Sequence, residues 1–98
     1  MASYEYEIDN EIDVEEPKKY TVFLLNDDFS TMDFVIEVLM SIFRKSLSES
    51  EKIMLTVHNN GKAACGTYTQ EIAYTKVSQV SSLARKAGFP LKAVAQEE

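Results

Sequence analysis

Lys19-Tyr-Thr-Val-Phe-Leu-Leu-Asn-Asp-Asp-Phe-Ser-Thr-Met32 passes from an apolar run to a polar corner and then into a helical pattern. Tyr20, Val22 and Leu24 alternate with their neighbours, which predicts a strand over residues 19–25 with one buried face. A helix is expected over residues 31–43, with Ser30 and Asp33 as its cap pair. Phe34, Val35, Val38, Leu39, Ile42 and Phe43 form its buried stripe, and Met32, Ile36 and Met40 lie on a neighbouring face. Asn26, Asp27 and Asp28 stand at the mouth of the strand-to-helix turn with a large apolar side chain just beyond. Such a corner suits a cation whose other end is apolar. Asn and Asp also serve turns by accepting from nearby backbone N–H groups. Three in a row exceed what one turn needs, so at least one is expected to keep acceptor capacity free.

Working outward, Ser48-Glu-Ser-Glu51 reads as a capping box for a second helix, which carries Ile53-Met-Leu-Thr-Val-His58 and ends at Gly61. A strand follows over residues 62–68, with small residues that let a helix lie close. Thr69 opens a third helix, with Ala73, Val77, Val80, Ala84 and Ala87 at helical spacing, and Gly88 closes it. Pro90 precedes a short last strand over residues 91–95. The expected class is α+β, in the order β-α-α-β-α-β: a three-stranded antiparallel sheet packed against three helices.

Ninety-eight residues, 45% of them apolar, suit one small core. No run approaches the ~20 apolar residues of a membrane span. A basic patch followed by an apolar stretch is missing at the N-terminus, so no secretory signal is expected. One cysteine, Cys65, leaves no intrachain disulfide, which fits a cytoplasmic, reducing setting. The net charge of −6 is unevenly placed. Residues 1–16 carry seven acids and no Lys or Arg, whereas residues 17–98 carry nine acids and ten bases. Residues 1–17 therefore read as an acidic, disordered extension and residues 18–98 as the folded domain. Neither part shows the clustered basic footprint of a nucleic-acid binder.

His58, the single histidine, lies four residues after Met54, so both project from one helix face with Val57 alongside. A histidine near a helix C-terminus also serves as a cap or surface residue, and methionines also fill cores. Sequence spacing by itself does not bring Met32, Met54 and His58 together. No Gly-rich phosphate loop, Ser–His nucleophile motif or zinc-ligand spacing is present. An Asp27/Asp28/His58 metal or acid–base site lacks any recognisable spacing. No metal, cofactor or catalysis is expected.

Several separate blocks, in order, carry a resemblance. They are residues 20–29, residues 32–39, Met54-Leu-Thr-Val-His58, Gly61-Lys-Ala-Ala-Cys-Gly66, Glu71-Ile-Ala-Tyr-Thr-Lys-Val77 and Pro90-Leu91. Over residues 18–96 the chain resembles the ClpS family, adaptors of the bacterial AAA+ protease ClpAP. The resemblance implies binding of N-degrons, proteins with a free N-terminal Phe, Leu, Tyr or Trp, and their delivery to the unfoldase for degradation. By motif match, Asn26, Asp28 and His58 would bind the α-amino group, with Asp27 adding negative potential. Ser30, Met32, Val35, Met54, Val57 and Leu91 would form the side-chain pocket. Glu71, Tyr74 and Lys76 would dock on the N-terminal domain of ClpA or a ClpC-type unfoldase, and the acidic extension would act in handover. A monomer with no nucleic-acid or membrane partner is implied. Ser30-Thr31 replaces the Thr-Pro more usual in the family, and Tyr74 stands where an acid is common.

An α-ammonium offers three donors, which Asn26, Asp28 and a neutral His58 nitrogen would match. Two other readings remain at this point. One is a partner-docking module shaped like the ribosomal stalk protein's C-terminal domain, which needs no convergence of Asn, Asp and His. The other is a small hydrolase using Asp27, Asp28 and His58.

Overall fold

A computed structural model describes residues 17–98. The expected acidic extension lies, apart from Pro17, outside the described residues. The elements are β1 (Lys19–Leu25), α1 (Met32–Ser41), α2 (Leu47–Asn60), β2 (Lys62–Thr69), α3 (Gln70–Ala87) and β3 (Lys92–Glu97). The sheet order is β2-β1-β3, with both pairings antiparallel, so the expected architecture holds.

β1 is central because its alternation serves one buried face. Val22 and Leu24 are fully buried, with Ala63 and Cys65 of β2 beside them. The small β2 residues permit this, since a helix packs directly over them. From α1, Phe34, Val35, Val38 and Leu39 close the core, joined by Ile42 and Phe43 just beyond the helix. Ala73, Val80 and Ala84 bring α3 onto the same core. At about 25 cal/mol per Å², these buried side chains are the main stabilising term.

Two helix starts differ from expectation. Thr31 caps α1, its Oγ1 accepting from Phe34 N at 3.1 Å, while Ser30 turns back to the corner. Ser46 caps α2, accepting from Glu49 N at 3.1 Å. Ser46-Leu-Ser-Glu49 repeats the box pattern two residues earlier, and starting there adds backbone bonds such as Ser50 N to Ser46 O at 2.8 Å. α1 also ends at Ser41, with Ile42 as C-cap, and Arg44 reverses the chain at φ 59°.

One junction positions the functional corner. Leu25 of β1 pairs with Lys62, the first residue of β2, and β2 follows α2 after Gly61 alone. Gly61, at φ 91°, takes the left-handed conformation that lets the chain leave α2 and enter β2 at once. Its carbonyl accepts from Asn26 N at 2.9 Å, and its N–H donates to Val57 O at 2.9 Å. The end of β1 is thus hydrogen-bonded to the end of α2.

Candidate functional site

Residues 26–32 and the last turns of α2 enclose a cavity of about 420 Å³. Met32 and Val35 of α1 and Met54 and Val57 of α2 supply its apolar wall. Asn26, Asp28 and His58 supply polar groups on the same cavity. The junction at Gly61 explains the convergence: residues some thirty positions apart meet because β1 and α2 end side by side.

The two aspartates have different environments. Asp27 Oδ1 accepts from Phe29 N at 2.8 Å and from Ser30 N at 2.6 Å, and Oδ2 accepts from Ser30 Oγ at 2.7 Å. This Asx-type arrangement closes the turn. Partial burial pushes the Asp27 carboxyl up, but the Ser30 N–H, the Ser30 hydroxyl and the Phe29 N–H outweigh it, leaving it below the ordinary aspartate range. Asp28 is exposed beside it. Among the described residues, the side chains of Asn26, Asp28 and His58 make no hydrogen bond, so their acceptor capacity faces the cavity mouth unspent.

Burial grades along the wall. Val57, Val35 and Met54 are buried, at 3%, 7% and 8% exposure, and form the cavity floor. Met32 is 52% exposed and stands at the rim. An unbranched, adaptable thioether at a rim can yield to different side chains. Ser30 lines the cavity, but its hydroxyl is committed to Asp27. Leu91 is 3% exposed, packed in the core and not among the lining residues. Phe29 and Thr31 line the cavity and were not among the expected residues. Phe29 follows the acidic pair directly, but nothing in the sequence reveals that it is 75% exposed.

Glu71 and Tyr74 share a shallow groove on the outer face of α3 with Thr75, Ser78, Gln79 and Ser82. Tyr74 leans on Tyr20, ring centroids 5.9 Å apart. Lys76 does not line this groove. Its Nζ donates to Ile42 O at 2.7 Å, capping the end of α1, and lies 5.7 Å from the centroid of the Tyr68 ring. Cys65 is fully enclosed, and burial pushes its thiol up to about 12, so it packs as a small apolar group. Among the described residues, no three His, Cys, Asp or Glu side chains gather as a metal site requires. No helix among them is long and apolar enough to cross a membrane.

Comparison with known proteins places this geometry in a family. The family model of the ATP-dependent Clp protease adaptor protein ClpS matches residues 15–94. The ATP-dependent Clp protease adapter protein ClpS of Wolinella succinogenes is 53% identical over 96 residues, spanning 98% of this chain and 94% of that protein. The protein of the same name from Neisseria meningitidis is 47% identical over 88 residues, spanning 90% of this chain and 85% of its own. Among solved structures, Agrobacterium tumefaciens ClpS2 bound to L-phenylalaninamide superimposes with a TM-score of 0.82 at 38% identity. That match covers 85% of this chain and all of the other.

Proposed function

The chain belongs to the ATP-dependent Clp protease adaptor ClpS family, and from that premise we propose that it captures proteins by a free N-terminal Phe, Leu, Tyr or Trp. It then delivers them, in the cytoplasm, to a ClpAP-type AAA+ protease. It acts as a non-catalytic adaptor. The observation that carries this reading is one apolar cavity bearing three acceptors, Asn26, Asp28 and His58, that no side-chain hydrogen bond among the described residues commits.

The chemistry fits an α-ammonium. A free N-terminal amine has a pKa near ~8 and is mostly cationic at neutral pH. Its three N–H donors find Asn26 Oδ1, an Asp28 carboxylate oxygen and one neutral His58 nitrogen. Asp27, ionised and locked in its turn, adds negative potential without spending a ligand position on the amine. The first side chain then enters between Met32, Val35, Met54 and Val57. L-phenylalaninamide, the ligand of the Agrobacterium relative, combines a free α-amino group with a benzyl side chain, the two features this cavity matches.

Magnitudes support reversible capture. Charge-assisted bonds are worth roughly 1.5–3 kcal/mol each, and burying a Phe or Leu side chain about 1.5–3 kcal/mol. Their gross total is about 6–12 kcal/mol before the cost of ordering a flexible N-terminus, which corresponds to a Kd on the order of micromolar. Such affinity suits an adaptor that must release its cargo.

Glu71 and Tyr74 on α3 are our choice for the contact with the unfoldase's N-terminal domain, ClpA or a ClpC type, with the adaptor acting as a monomer. Lys76 belongs to the same proposed contact, in addition to its bond to the Ile42 carbonyl. The acidic extension would serve in handover. A fluorescence-anisotropy panel tests the substrate reading. Peptides starting with Phe, Leu, Tyr and Trp should bind, whereas those starting with Ser, Gly or Met-Phe should not. Equal binding across the panel would favour a docking module that ignores N-termini.

A further inference from the structure

The corner has a second side. A separate cavity of about 400 Å³ shares Asn26, Asp27, Asp28 and Phe29 with the first, but its remaining walls are Leu25, Pro90 and Lys92. The helices close the first cavity, and the end of β1 with the start of β3 closes the second. The turn at residues 26–29 is therefore a ridge between two hollows. Phe29 lines both and is 75% exposed, a large aromatic ring left open by the described residues. Leu25 is half-buried and Pro90 exposed, so the second hollow offers a short apolar strip. The alkyl stem of Lys92 borders that strip and carries a cation toward the acidic ridge.

We infer that this second cavity is a subsite for an apolar side chain at the second position of the bound N-terminus. The inference rests on the N-terminus-binding reading. Successive side chains of an extended peptide point to opposite sides of its backbone, and the two hollows share residues 26–29 but are closed by different walls. A residue whose amine is held on the ridge by Asn26 and Asp28 is one residue, ~3.5 Å, from its successor. That distance keeps the second side chain within the neighbourhood of Phe29. The occupant is apolar because Leu25, Phe29 and Pro90 give the hollow a carbon surface, while Asp27 is committed to its turn and Asp28 and Asn26 are assigned to the amine. The adaptor thus reads two positions, the first strictly and the second as a preference.

Anisotropy with Phe-Leu- and Phe-Gly-initiated peptides, otherwise identical, tests this. Partial burial of one leucine side chain predicts about fivefold tighter binding of Phe-Leu than of Phe-Gly. Leu25→Ala, which alters the second hollow alone, should reduce that ratio below about twofold and leave the affinity for Phe-Gly unchanged. Phe29→Ala should reduce the ratio too. Equal binding of the two peptides to the unmodified protein would overturn the subsite while leaving N-terminal capture intact. Preserved discrimination in both variants would also overturn it. Failure of both peptides to bind would instead sink the underlying reading of the first cavity, and the subsite with it.

Discussion

The corner at residues 26–29 and the outer face of α3 are both rich in polar groups, yet they hold them in opposite ways. At the corner, one carboxylate is consumed by the fold so that its neighbour stays free. Asp27 accepts three hydrogen bonds, and Asp28, Asn26 and His58 keep their capacity. On α3 the cation is the consumed member. Lys76 caps α1 through the Ile42 carbonyl, while Glu71 and Tyr74 remain exposed on a shallow groove. The corner draws its groups from the turn after β1 and from α1 and α2 around a hollow, whereas the α3 groove is built from a single helix. The lesson is that adjacent acids or bases on a surface are not equivalent: the one the backbone needs is spent, and the other is available to a ligand.

The sharpest way to break this comparison is Asp28→Ala. Losing one charge-assisted bond should weaken binding of a Phe-initiated peptide about 10–100-fold, with an unchanged melting temperature. Asp27→Ala should do the reverse. By analogy with a lost cap, it should cost about 1–2 kcal/mol of stability in urea unfolding and weaken binding less than Asp28→Ala does, through the loosened turn and the lost negative potential. If the two variants behaved alike, the division of labour would be wrong.

Met32→Ala opens the rim, and Ile- or Val-initiated peptides should then gain about tenfold relative to Phe. β-Branched side chains carry bulk at Cβ, where the Met32 side chain stands in the way. Unchanged selectivity in a peptide series would remove Met32 as a gate. Lys76→Met should lower stability by about 1 kcal/mol through the lost bond to Ile42 and leave peptide affinity untouched.

Acidification gives the smallest effect. Asp27 ionises below the ordinary aspartate range, so its contribution is present above that range. It is lost only as pH falls through the lower folded-state value. The turn therefore stays intact between about pH 7 and about 5.5, and the stability it contributes in urea unfolding should be constant over that interval and fall only below the ordinary aspartate range. A cost of Asp27→Ala that had already vanished at about pH 5.5 would contradict the locked turn.

The element order and the α1 stripe were legible because periodicity reports burial directly: Phe34, Val35, Val38 and Leu39 are all buried. The helix starts were less so. Ser46 and Ser48 both begin box-like patterns, and Ser30 and Thr31 both carry a hydroxyl, so the choice falls to backbone bonds and to the Asp27 turn. The convergence of Met54, Val57 and His58 on the corner depends on the bond from Asn26 N to Gly61 O, a pairing that spacing does not encode. The resemblance to a family supplied it before geometry did. Leu91 differs from the other residues expected in the pocket: it is buried in the same core as Val35, Met54 and Val57 but does not line the cavity.

The central claim is that this corner recognises an α-ammonium. Titration with two peptides that differ only by an N-terminal acetyl group on Phe tests it most directly. Acetylation leaves one N–H donor and no charge, so the free peptide should bind near micromolar and the acetylated one at least about 100-fold more weakly. Equal affinity for the two would contradict the account.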